Sequence, residues 1–367
     1  MKRETVAYRR ARLPLLALAV AMLLVGGWGG LLRMGWVWQP RIDDAIGYHG
    51  PLVAIGAVAT LIAVERAVVI RRWWSMSAPA LALLSTEALV HLPELPAGAL
   101  VVAAGLALAA TCAEFYRRFP MVSPVLMGIG ALTWAASGVL WAAGYGIATL
   151  VPFWIVFLSL TILSERLELV RTLRPSGLDS IALVLSVGVQ LVGAGVAVAD
   201  RSPGLAVLGA GLLFTAVWMG PRDRPGGAGP RPPLTRYIAV AVRLAYVWLA
   251  VAGLLLVLND GGMSGPRNDA MLHAFFVGFV MGMIFAHGPI ILPGVLGRTV
   301  GYRALLYVPL AALSGATAVR VAADLAGLAD LARWGGLVSA LAIPAFFLTM
   351  ASTARSRRGV PEGTKGP

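Results

Sequence analysis

Apolar runs of about twenty residues recur from one end of the chain to the other, separated by short polar or Pro/Gly-containing breaks. At 1.5 Å per residue a helix of that length matches the hydrocarbon thickness of a bilayer, so the runs read as transmembrane helices. The pattern predicts twelve spans, at 13–33, 49–70, 76–92, 95–115, 121–144, 149–170, 178–199, 203–220, 236–258, 269–293, 301–323 and 333–352. The third is the least regular, because Glu87 and His91 interrupt it and Pro93 and Pro96 follow closely. The expected fold is all-α, a polytopic membrane protein of about 12 transmembrane helices with residues 1–367 as one integral membrane domain. No stretch is left over for a soluble domain.

Composition agrees, with 59% hydrophobic and 13% charged residues. Of the 30 Lys and Arg residues, with those in the first or last three positions of a span counted with the adjoining loop, 21 fall on one side of the twelve spans, five on the other (Arg33, Arg41, Arg201, Arg267, Arg333) and four within spans (Arg66, Arg166, Arg243, Arg320). Because cytoplasmic loops collect positive charge, this predicts a cytoplasmic (inner) membrane protein with both termini inside. The net charge of +13 is then a topology signal. Nucleic-acid binding is excluded, since the basic residues are scattered through short loops rather than gathered on a domain. The run Leu13 to Leu32 reads as a first helix rather than a cleaved leader. Residues 221–235 read as a cytoplasmic Pro/Gly-rich linker and 353–367 as a cytoplasmic tail. Cys112, the one cysteine, has no intrachain disulfide partner.

A short repeat suggests four-helix units. Ile62-Ala-Val-Glu65-Arg66, with Arg71, recurs as Ile162-Leu-Ser-Glu165-Arg166, with Arg171, matching the second helix to the sixth. The tenth helix is then the third counterpart, and it carries His273 and His287.

Histidine is costly in hydrocarbon, and ionisable residues at membrane depth mark function. His49 near the start of the second helix and His273 near the start of the tenth are predicted at similar depth close to the outer face, where imidazoles from facing helices can hold one haem iron axially. The alternatives are a wet helix-start residue for His49 and an interhelical hydrogen bond for His273. His287 lies about 21 Å further along its helix than His273 and cannot share a metal with it. It shares a face with Met283, either as a soft-plus-imidazole copper pair or simply as packing. Ala274, Gly278, Gly282 and Ala286 form a small-residue stripe for close helix contact. Glu87 and His91, four apart, pair as a carboxylate and the imidazole it orients, with His91 a further metal-site candidate, or else both face water.

Glu65, Arg66, Glu165 and Arg166 fall roughly 24 Å down their helices, at the inner interface, where they can pair between helices or line a proton or anion path. Arg243 and Arg320 are further intramembrane cations, suited to a haem propionate or to Asp324.

The opening Tyr48-His49-Gly-Pro-Leu-Val-Ala-Ile-Gly and the segment Asp269-Ala-Met-Leu-His273-Ala-Phe-Phe-Val-Gly278 resemble the NnrS family, twelve-helix bacterial membrane proteins that bind haem and copper and are associated with nitric oxide resistance. That family is similar to the large subunit of haem-copper oxidases. The resemblance implies an oxidase-like bundle, haem b on His49 and His273, and a diatomic gas such as nitric oxide, or electrons, as what the protein handles. The chain departs from the family at position 51, where Pro51 stands in place of a second early histidine, which puts copper in question. Four histidines, with neither an adjacent pair nor a His-x-His, also fall short of the six an oxidase or nitric oxide reductase needs, so enzymatic reduction is not expected. Two other readings need no cofactor: a transporter or channel for protons or a small anion using the Glu-Arg pairs, for which Pro152 and Pro309 are candidate helix breaks, and an assembly factor for a respiratory complex.

Overall fold

The computed structural model describes residues 2–169, 177–226, 229–262, 264–296 and 299–355. Among them are twelve long helices: α1 Lys2–Arg33, α2 Asp43–Ile70, α3 Ser77–His91, α4 Glu94–Arg118, α5 Val122–Ala142 and α6 Ile147–Leu169. The series continues with α7 Leu178–Ala199, α8 Arg201–Met219, α9 Pro233–Val257, α10 through Pro266–His273, Ala274–Met281 and Gly282–Leu296, α11 Tyr307–Ala326 and α12 Ala329–Ala351. Eleven are long and apolar enough to cross a bilayer. The exception is α3, whose 15 residues reach only about 22 Å. The all-α polytopic membrane fold follows from this array. Of the expected tail, residues 356–367 lie outside the described residues, as do residues 227 and 228 of the linker.

Each helix packs against the next in sequence, and α12 returns to α1. Three helices are drawn into the centre. In α2, α6 and α10, 72%, 78% and 61% of the apolar window is buried, against at most 56% in any other span. These are every fourth helix, the spacing implied by the repeated Glu-Arg pair. A lipid-facing helix needs only an apolar surface, whereas a central one must fit neighbours on all sides, which is why polar groups concentrate here.

Two features were not foreseen from the sequence. First, α2 begins at Asp43 rather than at 49, so His49 and Pro51 lie inside the helix. Proline removes a backbone donor and crowds the preceding turn, and Tyr48 departs from helical geometry (φ −109°, ψ 18°). Second, α2 and α10 each contain eight residues of π-helix, Leu52–Ala59 and Ala274–Met281. A π-helical turn is wider than an α-helical one and is commonly retained at functional sites. Both segments hold a glycine at the same place. A Cβ on Gly56 would come within 3.1 Å of Met22 and Thr86, and one on Gly278 within 2.5 Å of the Trp248 ring. The small-residue stripe of α10 thus serves close packing against α9, where Trp248 also donates from Nε1 to Ser314 Oγ at 3.0 Å. Pro152 lies within a continuous α6, and Pro309 falls in the first turn of α11.

Candidate functional site

At the end of the bundle where α2 and α10 begin, His49 and His273 lie within electrostatic range of one another and of Arg33 and Arg320. His273 Nδ1–H donates to the Asp269 carbonyl oxygen, 2.7 Å away and one turn back. A carbonyl only accepts, so the proton sits on Nδ1 and the Nε2 lone pair is left open. His49 packs beside Gly30 of α1, and its Nδ1 is buried against the Ile46 backbone, too poorly aligned for a regular hydrogen bond. Arg320 is held by Asp324 (Nε to Oδ2, 2.7 Å) and by Asp269 (Nη2 to Oδ2, 3.6 Å). Arg33 is exposed and has no carboxylate partner among the described residues. Trp36 stacks obliquely on Trp38 and meets Trp334 edge-on, with the Arg333 guanidinium 4.9 Å from its ring, an amphipathic girdle suited to a membrane–water interface.

His91 and Glu87 contact each other at 3.5 Å on the exposed end of α3. Arg243 lies exposed on α9 between Val240 and Val247. It makes no ion pair among the described residues, and so does not join Asp324 as the sequence had allowed. Among the described residues no three His, Cys, Asp or Glu side chains are grouped to hold a metal ion.

A second cluster lies toward the other ends of α2 and α6. Arg66 Nη1 donates to Glu168 Oε2 at 2.9 Å, and Nη2 lies 3.5 Å from Glu65 and 3.6 Å from Glu165. The expected pairing of Glu-Arg motifs between helices is therefore present, and it extends further. Arg166 grips Asp223 with two parallel hydrogen bonds, Nε to Oδ2 at 2.6 Å and Nη2 to Oδ1 at 2.5 Å, and Tyr246 OH donates to the same carboxylate at 3.0 Å. The remaining Arg166 Nη1 donates to His287 Nε2 at 2.9 Å. His287 consequently carries its proton on Nδ1, which faces Glu165 Oε2 at 3.7 Å. The Nε2 lone pair of His287 is thus committed to Arg166, and Met283 is fully buried one turn before it.

Glu168, Asp223 and Tyr246 were not singled out from the sequence. Asp223 lies in the segment read as a flexible tether, yet its side chain is fully buried. The available signal was a lone acid between Arg222 and Arg224.

A cavity of about 50 Å³ opens beside this network. Its lining is threefold in sequence register. Val58, Ile62 and Glu65 of α2 correspond, 100 residues on, to Leu158, Ile162 and Glu165 of α6. A shift of 222 residues instead reaches Val280, Ile284 and His287 of α10. The same 222-residue shift superposes the two π-helical segments and their glycines. His287 is thus the third repeat's counterpart of Glu65 and Glu165. The three central helices present one titratable side chain each to a common space.

No curated protein and no solved structure matches this chain. A family model described as Domain of unknown function (DUF8744) matches residues 12–355, nearly the whole helical array, and the chain belongs to that family.

Proposed function

We propose that this is a haem-carrying protein of the inner membrane, of NnrS-like type, with both termini cytoplasmic and His49 and His273 as the residues that would hold the haem iron near the outer face. The single observation that carries the reading is the orientation of His273. Its Nδ1–H is fixed by a backbone carbonyl and its Nε2 is left open, the arrangement that metal-binding histidines use to set tautomer and ring direction. The burial of the His49 imidazole without a side-chain partner and the cations around the pair support it. The donor set is of the kind a haem b takes: two imidazoles would hold the iron, and Arg33 would pair with a propionate. A bound haem would supply one-electron redox chemistry and, with one imidazole released, a binding position for nitric oxide or another diatomic. The chain's own part is to position the two imidazoles from α2 and α10, with Arg33 as the cation that would pair with a propionate.

The test is the absorption spectrum of the detergent-purified protein, oxidised and dithionite-reduced, after expression with ample haem. The expected result is a Soret band that is lost or shifted in both His49→Ala and His273→Ala. A wild-type protein that purifies folded and without a Soret band would overturn the proposal.

A further inference from the structure

Glu65, Glu165 and His287 face one cavity from three helices, and the charge around them does not balance. Four carboxyl groups (Glu65, Glu165, Glu168, Asp223) share two guanidinium groups (Arg66, Arg166). Asp223 is matched by Arg166, and Glu168 by Arg66, each through hydrogen bonds. Glu65 and Glu165 are the surplus. Their contacts with Arg66 are not hydrogen bonds, and Glu165 Oε1 is buried with no hydrogen-bond partner at all. His287 cannot offset them as a cation, because its Nε2 accepts from Arg166 and the ring is therefore neutral. From α4, Phe115 places its ring 5.8 Å from the Arg66 guanidinium and Cys112 is buried nearby, and neither adds a positive charge. From α9, Tyr246 serves Asp223.

Two like charges that share one guanidinium with Glu168 at a mostly apolar cavity are strongly disfavoured, and a proton on each carboxyl removes the charge while adding an O–H donor. A cavity of about 50 Å³ admits water, which can bridge the three side chains. Glu168, whose side chain is 31% exposed, marks the edge through which the cluster meets bulk solvent.

We infer that Glu65, Glu165 and His287 form a proton-binding site at the centre of the bundle, where the two carboxyls take up protons from the Glu168 side and exchange them across the cavity. Uptake forms one O–H bond on a carboxylate oxygen at the expense of a hydronium ion in bulk water, and no electrons move. The site is independent of any cofactor at the His49 end, about 24 Å of helix away.

The experiment is infrared spectroscopy of the full chain in detergent at neutral pH, in H2O and D2O. Solvated carboxyls are ionised there, so a protonated-carboxyl C=O band isolates groups of this kind. The expected result is such a band, shifted in D2O, diminished in Glu65→Gln and in Glu165→Gln, lost in the double variant and unchanged in Glu87→Gln. Glutamine mimics the protonated carboxyl, so the double variant should also elute as folded protein and melt no lower than the wild type. Absence of the band in the wild type, its survival in the double variant, or a marked loss of thermal stability on Glu→Gln substitution would overturn the inference.

Discussion

Arg166 and Asp223 are 57 residues apart in sequence and joined side by side, guanidinium to carboxylate, with both side chains essentially removed from solvent. The pair ties the segment following α8 to the central helix α6. The third arm of the same guanidinium reaches α10 through His287, so one side chain fastens three parts of the chain.

Breaking this pair from one side leaves a buried charge without its partner, at a cost of about 3–5 kcal/mol. Arg166→Met should therefore lower the thermal unfolding temperature strongly, with Asp223 held only by Tyr246. Adding Asp223→Asn removes the stranded charge and should recover part of the loss, because residues in direct contact are not additive. Melting curves of the two single variants and the double variant in one detergent check this. A double variant that melts at the sum of the single losses would show that the two residues do not act as a pair.

The α9–α10 contact makes a separate prediction about packing. A methyl group on Gly278 would enter the Trp248 ring, and in a close-packed helix interface such overpacking costs about 1–3 kcal/mol. At Gly56 the nearest neighbours are the side chains of Met22 and Thr86 at 3.1 Å, and methionine can move. Gly278→Ala should therefore destabilise more than Gly56→Ala, and Gly278→Leu more again. Equal melting temperatures for the two alanine variants would count against the close approach of Trp248.

Where the sequence was legible, it was so for a physical reason. A lipid-facing surface demands apolar residues over a fixed length, and that demand placed the eleven helices long enough to cross, while α3, read as a full span, is shorter than the demand. The pairing of Glu65-Arg66 with Glu165-Arg166 was legible because charged residues are scarce enough in such helices for a repeat to stand out. The π-helical turns were not, since Leu52–Ala59 and Ala274–Met281 have the composition of any buried span, and the extra residue per turn leaves no compositional trace. Nor was the role of Asp223, because a loop acid reveals its target only when the chain folds back. Pro51 misled in another way: it looked like the opening of a helix and instead sits within one.

The four histidines should separate cleanly in the spectrum proposed above. His91 is exposed beside Glu87, and His287 has its Nε2 committed to Arg166 in the opposite cluster. His91→Ala should leave any Soret band unchanged in position and amplitude. His287→Ala should leave its position unchanged while lowering thermal stability, since Arg166 loses its acceptor. A shift of the band in either variant, at full haem content, would move the ligand assignment away from His49 and His273.

Topology can be read chemically, because the chain has one cysteine and it is buried in α4. The wild type should not react with a membrane-impermeant maleimide, which makes it a silent background for introduced cysteines. Val37, between α1 and α2, is 92% exposed, and Leu258, at the end of α9, is 67% exposed. With an even number of spans and the basic loops inside, both fall on the outer side. Trp73, after α2, is 74% exposed, and Leu178, at the start of α7, is 84% exposed, and both fall inside. Val37→Cys and Leu258→Cys should label in intact cells, or spheroplasts where an outer membrane is present. Trp73→Cys and Leu178→Cys should label only after the inner membrane is permeabilised. If the four sites divided in the opposite sense, the His49 end would face the cytoplasm and the Glu168 edge of the central cluster would draw its protons from outside. If Val37 and Leu258 labelled from different sides, the short helix α3 would not complete a crossing, and every span after it would be inverted.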